Sequence, residues 1–220
     1  MMVNAVEIHN LTISYSNDKI LDNIDLFLEK GKVYGLVGEN GSGKSTLINC
    51  ILGLIPWEKG EITIFNKPVY FNKTRRYIFS ICSAVLQDVS LPKRLTVKEC
   101  LQLFAILGRG NTEKIEEVIH LLQLDEQEGV AYDELSFGQK QRVIIGTALL
   151  QKFDILFLDE PTNGLDTETR HTLFSVMSSL RQEGKTIVFI SHREEEISAV
   201  CDDILFIGDK KVTVRKGSLS

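Results

Sequence analysis

The chain has 220 residues, 43% of them hydrophobic, and a net charge of −5; this suits one large globular domain and leaves no basic footprint for direct nucleic-acid binding. Cys50, Cys82, Cys100 and Cys201 form no C-x-x-C pair, which argues against a zinc site or a disulfide frame and fits buried thiols in a reducing compartment. No apolar run approaches the roughly 18 residues of a membrane span, and residues 1–10 lack a signal region, so any membrane connection is expected to go through another protein.

Residues 6–15 largely alternate between apolar and polar, which predicts a strand with one solvated face. A turn is expected at 16–19. Residues 20–28 alternate again, so the two strands are expected to pair antiparallel. Tyr15, at the end of the first, can stack on a purine or simply pack. Residues 33–37 predict a short buried strand. Gly38-Glu39-Asn40-Gly41-Ser42-Gly43-Lys44-Ser45 follows and fits G-x-x-x-x-G-K-[ST]. Residues 46–52 then read as a helix without a breaker. Strand, loop and helix in that order are the context in which this pattern binds phosphate. Gly38, Gly41 and Gly43 allow positive φ, so successive N–H groups can turn inward on one anion. The helix starting near Lys44 adds its positive end. Lys44 can reach the β- and γ-phosphates, and the Ser45 hydroxyl can hold Mg2+.

Gly53, Pro56 and Gly60 break that helix. Residues 61–65 predict a further strand, with a turn at Asn66-Lys67-Pro68. The charged stretch 72–76 reads either as a solvated loop or as a contact for a partner. Residues 78–86 read as partly a buried strand, and the stretch ends at Gln87-Asp88. Residues 91–96 form a loop in which Thr96 can cap a helix. Helical spacing runs over 97–107 and 112–122, parted by Gly108-Arg109-Gly110. The helical block of roughly 91–150 interrupts a strand-rich chain and reads as an inserted subdomain. Within it, Ser136 can cap the helix that begins at Leu135-Ser136-Phe137-Gly138-Gln139. A second anion site is possible there, although an ordinary cap has the same sequence.

Residues 155–158 are continuously apolar, fit for a buried parallel sheet, and end in Asp159-Glu160-Pro161. Carboxylates at such a strand end face the crevice where open α/β sheets bind ligands. Asp159 is placed for a Mg2+ shell and Glu160 to polarise an attacking water. Residues 167–183 predict a helix capped near Asp166. Residues 186–190 predict another buried strand, which ends at Ser191-His192 in the same crevice. An acid-rich helix is expected at 194–201, and a last strand pair at 204–207 and 212–214. The fold class is α/β, with a mostly parallel central sheet and an antiparallel flank.

In this order the pieces resemble the nucleotide-binding subunit of an ATP-binding cassette (ABC) transporter, over essentially the whole chain. Gly38–Ser45 resembles Walker A, and Gln87 stands where the Q-loop glutamine lies. Residues 135–139 resemble the LSGGQ signature, with Phe137 in place of its first glycine. Residues 155–160 resemble Walker B, Gly164-Leu165-Asp166 the D-loop and His192 the H-loop histidine. Tyr15 matches the adenine-stacking aromatic.

The resemblance implies a P-loop NTPase fold, with a RecA-like core, an antiparallel β subdomain and the inserted α-helical subdomain, all in one ABC ATPase domain over residues 1–220. It implies ATP and Mg2+ as cofactors. Glu160, His192 and Gln87 would be catalytic, with Ser45, Gln87 and Asp159 around the metal. Tyr15, Gly38, Glu39, Asn40, Gly41, Ser42, Gly43, Lys44, Ser45, Thr46, Ser136, Gly138, Gln139 and Asp166 would hold the nucleotide. The family also forms a head-to-tail dimer, with a second copy or a homologous ATPase subunit. Each ATP would lie between residues 38–45 of one subunit and 136–139 of the other. The helical subdomain would dock on a transmembrane permease at the cytoplasmic face of the cell membrane. The short tail after Val214 leads to the expectation of no appended regulatory domain and of an exporter of drug or peptide type. The alternatives are a soluble ABC-type ATPase in translation or DNA maintenance, and a binding module that dimerises on ATP but scarcely hydrolyses it.

Overall fold

The computed structural model describes residues 3–16, 18–87 and 89–217. Asn17 of the expected turn, Asp88 of the expected strand end and the tail 218–220 lie outside the described residues. β1 (Asn4–Tyr15) and β2 (Asp18–Glu29) pair antiparallel, as their alternation predicts. β3 (Val33–Gly38) runs into the glycine-rich loop and α1 (Lys44–Ile51). β4 (Lys59–Ile64) lies beside β1 and carries the two-residue edge strand β5 (Lys67–Pro68). The turn between them sits at Phe65 and Asn66, both with positive φ. The turn expected at 66–68 is therefore corrected by one residue, and Pro68 is tolerated because β5 is an edge.

The stretch 78–86, expected to be partly a buried strand, divides at residue 82, and residues 78–81 are helical. They belong to α2 (Arg75–Ile81), and only Cys82–Val85 forms β6. Ile78 is fully buried whereas Phe79 is half exposed, so the segment is one-sided. A short apolar run does not by itself separate helix from strand. Arg75 and Arg76, expected in a loop, open this helix.

α3 (Val97–Leu107) starts on a capping box: Thr96 Oγ1 accepts from the Glu99 N–H, and the Glu99 carboxylate accepts from the Thr96 N–H. α4 (Ile115–Leu121) and α5 (Phe137–Leu149) follow. The remaining elements are β7 (Ile155–Asp159), α6 (Thr167–Gln182), β8 (Thr186–Ile190), α7 (Glu194–Val200), β9 (Asp203–Gly208) and β10 (Lys211–Lys216). They form where the spacing predicts.

One sheet is antiparallel, in the order β2-β1-β4-β5. The other runs β10-β9-β3-β8-β7-β6, parallel except for β10. β6 and β7 are neighbours in this sheet, so α3, α4 and α5 are an excursion between adjacent strands. Successive residues of a strand point to opposite faces, and both faces of the parallel sheet are covered. Ile187 and Phe189 of β8 join a core with α3 to α7, while Val188 and Ile190 join a core with α1 and the antiparallel sheet. This double burial explains the unbroken apolar runs of β7 and β8. The four cysteines are buried free thiols. Among the described residues, no helix is long and apolar enough to cross a membrane.

The strand order has one consequence for function. β3, β8, β7 and β6 are adjacent and parallel, so the loops at their C-terminal ends collect on one edge of the sheet. Phe157 at the centre of β7 is 0% exposed. Phe157→Ala should destabilise the fold by about 3–5 kcal/mol, read from the denaturant midpoint. A loss under about 1 kcal/mol would contradict this packing.

Candidate active site

The loop after β3 is shaped by its glycines, though not all in the same way. Gly41 and Gly43 have φ of 80° and 104°. Gly38 uses no positive φ. Its need is space: a Cβ there would lie 2.5 Å from the Ile207 carbonyl oxygen and 2.7 Å from Ser42 Oγ. Gly43 is also the N-cap of α1, with no side chain capping the helix. The first-turn N–H groups of α1 are thus left for an anion. Lys44, 9% exposed, donates from Nζ to the carbonyls of Gly38 (2.8 Å) and Glu39 (2.9 Å). An ammonium has three donors, so one remains. Ser42 Oγ is buried without a partner. Asn40, Ser45 and Thr46 line a cavity of about 490 Å3 with Lys44, Glu160 and His192.

The carboxylates arrive from β7. Asp159 and Glu160 are each 3% exposed. Burial raises the Asp159 carboxyl, opposed by the neighbouring Ser45 hydroxyl and the charge of Lys44. Burial, then the charge of Asp159, pushes Glu160 up to about 7, against the pull of Lys44. Gln87 Nε2 reaches Asp159 Oδ1 at a long 3.4 Å. His192 Nδ1 lies 2.8 Å from Glu160 Oε1. The contact is close but its N–H is out of line, since Glu160 Oε1 and Oε2 lack a hydrogen-bond partner. Glu160 also has a left-handed backbone, φ 52°, a conformation that costs a non-glycine residue on the order of 1 kcal/mol or more.

Ser136, Gly138 and Gln139 do not line this cavity. Ser136 caps α5 through a capping box with Gln139, at 3.3 and 2.9 Å. Gly138 packs on the D-loop, where a Cβ would lie 2.4 Å from the Gly164 carbonyl oxygen. Asp166, expected at the nucleotide, is directed elsewhere: its carboxylate accepts from Thr169 N at 2.8 Å and pairs with Arg142 at 3.0 Å. The Thr169 N–H holds that carboxyl below the usual range. Tyr15 is 73% exposed at the end of β1 and does not line the cavity.

Sequence reasoning missed Asn163, which lines both this cavity and an adjoining one of about 510 Å3 that also contains Gln87, Phe137 and Glu160. It also missed Glu196, which falls in the first turn of the expected acid-rich helix and is 4% exposed. Its only signal was position, one helical turn beyond His192.

These residues suit ATP and Mg2+. The uncapped α1, the Lys44 ammonium and the unpartnered Ser42 hydroxyl are donors for phosphate. Ser45, Gln87 and Asp159 offer the oxygens that Mg2+ prefers. Among the described residues, no cluster of three or more His, Cys, Asp or Glu could hold a metal unaided; Mg2+ at such sites takes its other ligands from phosphate and water.

The geometry is that of a P-loop ATPase carrying a second, signature-type helix start. The chain belongs to the ABC transporter family, whose model matches residues 21–163. It is 36% identical to the manganese transport system ATP-binding protein MntB of Listeria monocytogenes, over 94% of this chain and 88% of that protein. It is 34% identical to the Nod factor export ATP-binding protein I of Sinorhizobium fredii, over 92% and 60%. It is 31% identical to the galactose/methyl galactoside import ATP-binding protein MglA of Treponema denticola, over 96% of this chain but 44% of that protein. A solved dimeric ATP-binding cassette in a post-hydrolysis state, bound to ADP and Pi, superposes with a TM-score of 0.87 at 27% identity, covering 96% of this chain and 98% of that one. The chain is therefore an ABC ATPase subunit that binds ATP with Mg2+ and powers transport.

The raised Glu160 carboxyl has a stability consequence. Its folded pKa, about 7, exceeds the ordinary 4.5. The folded state thus keeps the proton longer than the unfolded chain, and the stabilisation present below pH 4.5 is lost as pH rises through about 7. Without nucleotide, Glu160→Gln should stabilise the protein clearly at about pH 8 and little at about pH 5. Denaturant midpoints at both values check this; equal shifts would contradict it.

Proposed function

We propose that the catalytic set is Glu160, His192 and Gln87, and that two chains face head to tail to complete each ATP site. Glu160 accepts the proton of the attacking water; a carboxyl pushed up to about 7 is a better base near neutral pH than an ordinary one. His192 Nδ1, 2.8 Å from Glu160, holds the carboxylate and the γ-phosphate in a fixed relation. Lys44 and the start of α1 bind the phosphates, and Ser45, Asp159 and Gln87 hold Mg2+, which supplies charge neutralisation on the β- and γ-phosphates. The observation that carries this reading is the convergence of Lys44, Glu160 and His192 on one cavity at the sheet edge.

In the head-to-tail arrangement, Ser136 and the first turn of α5 cover the nucleotide held by the other subunit. Asp166 then serves by fixing α6 to Arg142 rather than by touching ATP. Tyr15 remains the candidate for adenine stacking. Residues 1–220 act as one ATPase domain, and the helical segment 91–150 meets the permease at the cytoplasmic face of the membrane. The drug- or peptide-export class expected from the short tail has no support among the relatives. Their names are mostly those of import proteins for sugars and of manganese or zinc transport systems, with one exporter. Import is thus the direction we favour. These names are all of transport proteins, so an ATPase of translation or DNA maintenance is not favoured.

Glu160→Gln should trap a dimer in ATP and Mg2+, because the phosphate contacts stay while water activation is lost. Size-exclusion chromatography reads this directly, and a protein that stays monomeric in ATP would count against the composite site. Lys44→Ala should abolish nucleotide binding by titration calorimetry; retained tight affinity would contradict the role of Lys44.

A further inference from the structure

Thr162 and Ser191 both donate a hydroxyl proton to one oxygen of Glu196, Oε2, at 2.9 and 2.7 Å. The three residues come from separate segments. Thr162 lies in the loop after β7, two positions past Glu160. Ser191 ends the β8 segment, next to His192. Glu196 belongs to α7. They are 1%, 2% and 4% exposed. The other oxygen, Oε1, accepts no hydrogen bond and faces Arg170 Nε of α6 at 3.5 Å and Arg193 Nη1 at 3.7 Å. Burying a carboxylate is unfavourable by several kcal/mol unless partners answer it. Glu196 lines neither of the two cavities at the site.

We propose that Glu196 is a positioning residue for hydrolysis. It clamps the Glu160 loop to the His192 strand end and so sets the 2.8 Å approach of His192 to Glu160. This rests on the reading of Glu160 and His192 as the hydrolytic pair. Two features require such a clamp. Glu160 is held at positive φ, which persists in a residue with a side chain only where the surroundings over-determine it. Its direct backbone restraints are few: its N–H donates to the Ile190 carbonyl at 3.1 Å, and its carbonyl accepts from Asn163 N at a long 3.3 Å. His192 sits between two fixed neighbours, because Ser191 Oγ also accepts from Arg193 N at 3.1 Å. One carboxylate oxygen therefore restrains both loops, and a shift of α7 would part the base from its histidine.

The test is steady-state ATP hydrolysis by the full-length chain, with kcat and KM separated. Glu196→Ala should lower kcat roughly ten- to hundredfold, the effect of a misplacement of about 1 Å, with KM for ATP changed by about twofold or less. Glu196→Gln keeps an oxygen acceptor for both hydroxyls and should recover most of that loss. The double variant Thr162→Val, Ser191→Ala leaves the charge in place and should reproduce the slow kcat. A normal kcat in the folded double variant overturns the proposal, as does Glu196→Gln turning over no faster than Glu196→Ala. If Glu196→Ala does not fold, the double variant decides. Failure of the underlying reading looks different: Glu160→Gln would hydrolyse ATP at the wild-type rate.

Discussion

Asp159 and Glu160 are adjacent in the chain, nearly out of solvent, and of like charge. A low-dielectric surrounding makes that arrangement unfavourable, and both carboxyls are raised accordingly. The elements around them supply compensation from separate strands. β3 brings Lys44 and the start of α1, β8 brings His192, and β6 brings Gln87. This gathering follows from a sheet in which β3, β8, β7 and β6 are parallel neighbours. This compensation still leaves Glu160 short of partners, as its two unbonded oxygens show. A site built this way gives up stability for function. A cation and a polyphosphate entering together answer both the acids and the exposed helix start.

A second coupling runs between the signature segment and the D-loop. Gly138 and Gly164 meet where neither has room for a side chain, and a Cβ on Gly164 would lie 2.5 Å from Phe137 Cδ1. The Phe137 ring thus stands against the D-loop glycine while staying 67% exposed. A large residue is tolerated in place of the signature's first glycine because Gly164 yields the space. Arg142 of α5 pairs with Asp166 at the cap of α6. The starts of α5 and α6 are therefore tied at two points, so a displacement of one carries the other. In the proposed dimer, this tie lets contact at one ATP site register on the D-loop beside it.

Much of this was legible in the sequence because it is local. The strand, glycine loop and helix at 33–52, the cap at Ser136 and the cap at Asp166 each depend on residues a few positions apart. What was missed depends on packing across the fold. The φ of Gly38 is ordinary, and its role comes from the Ile207 carbonyl, far away in sequence. Residues 78–81 are helical, with Ile78 buried and Ile81 packed on the same core while Phe79 stays half exposed. Glu196 is one of three acids in the first turn of its helix, yet Ser191 and Thr162 draw it inside. Asp166 carries a family motif, but its carboxylate is engaged by its own helix and by Arg142. A motif places a residue near a site; it does not say which atoms its side chain will bond.

In the proposed dimer, each chain presents the two halves of a nucleotide clamp at separate places. The cavity at the phosphate loop is lined by none of Ser136, Gly138 and Gln139. Ser136 is nonetheless exposed and not buried in the monomer. Its Oγ accepts from Gln139 N, so its hydroxyl proton is still free to donate. The N–H groups of Phe137 and Gly138 have no intrahelical partner. These are donors of the kind that α1 offers, on a helix start with no acid in its first turn. In the proposed head-to-tail dimer, the phosphate they meet is the one held by the other subunit. Binding free energy from that second helix start would then be available only to the dimer, which would link ATP affinity to dimerisation. In that proposed arrangement, hydrolysis would remove the bridging γ-phosphate and with it the reason for the two surfaces to stay together, so a fixed pair of half-sites could do work on a transport partner.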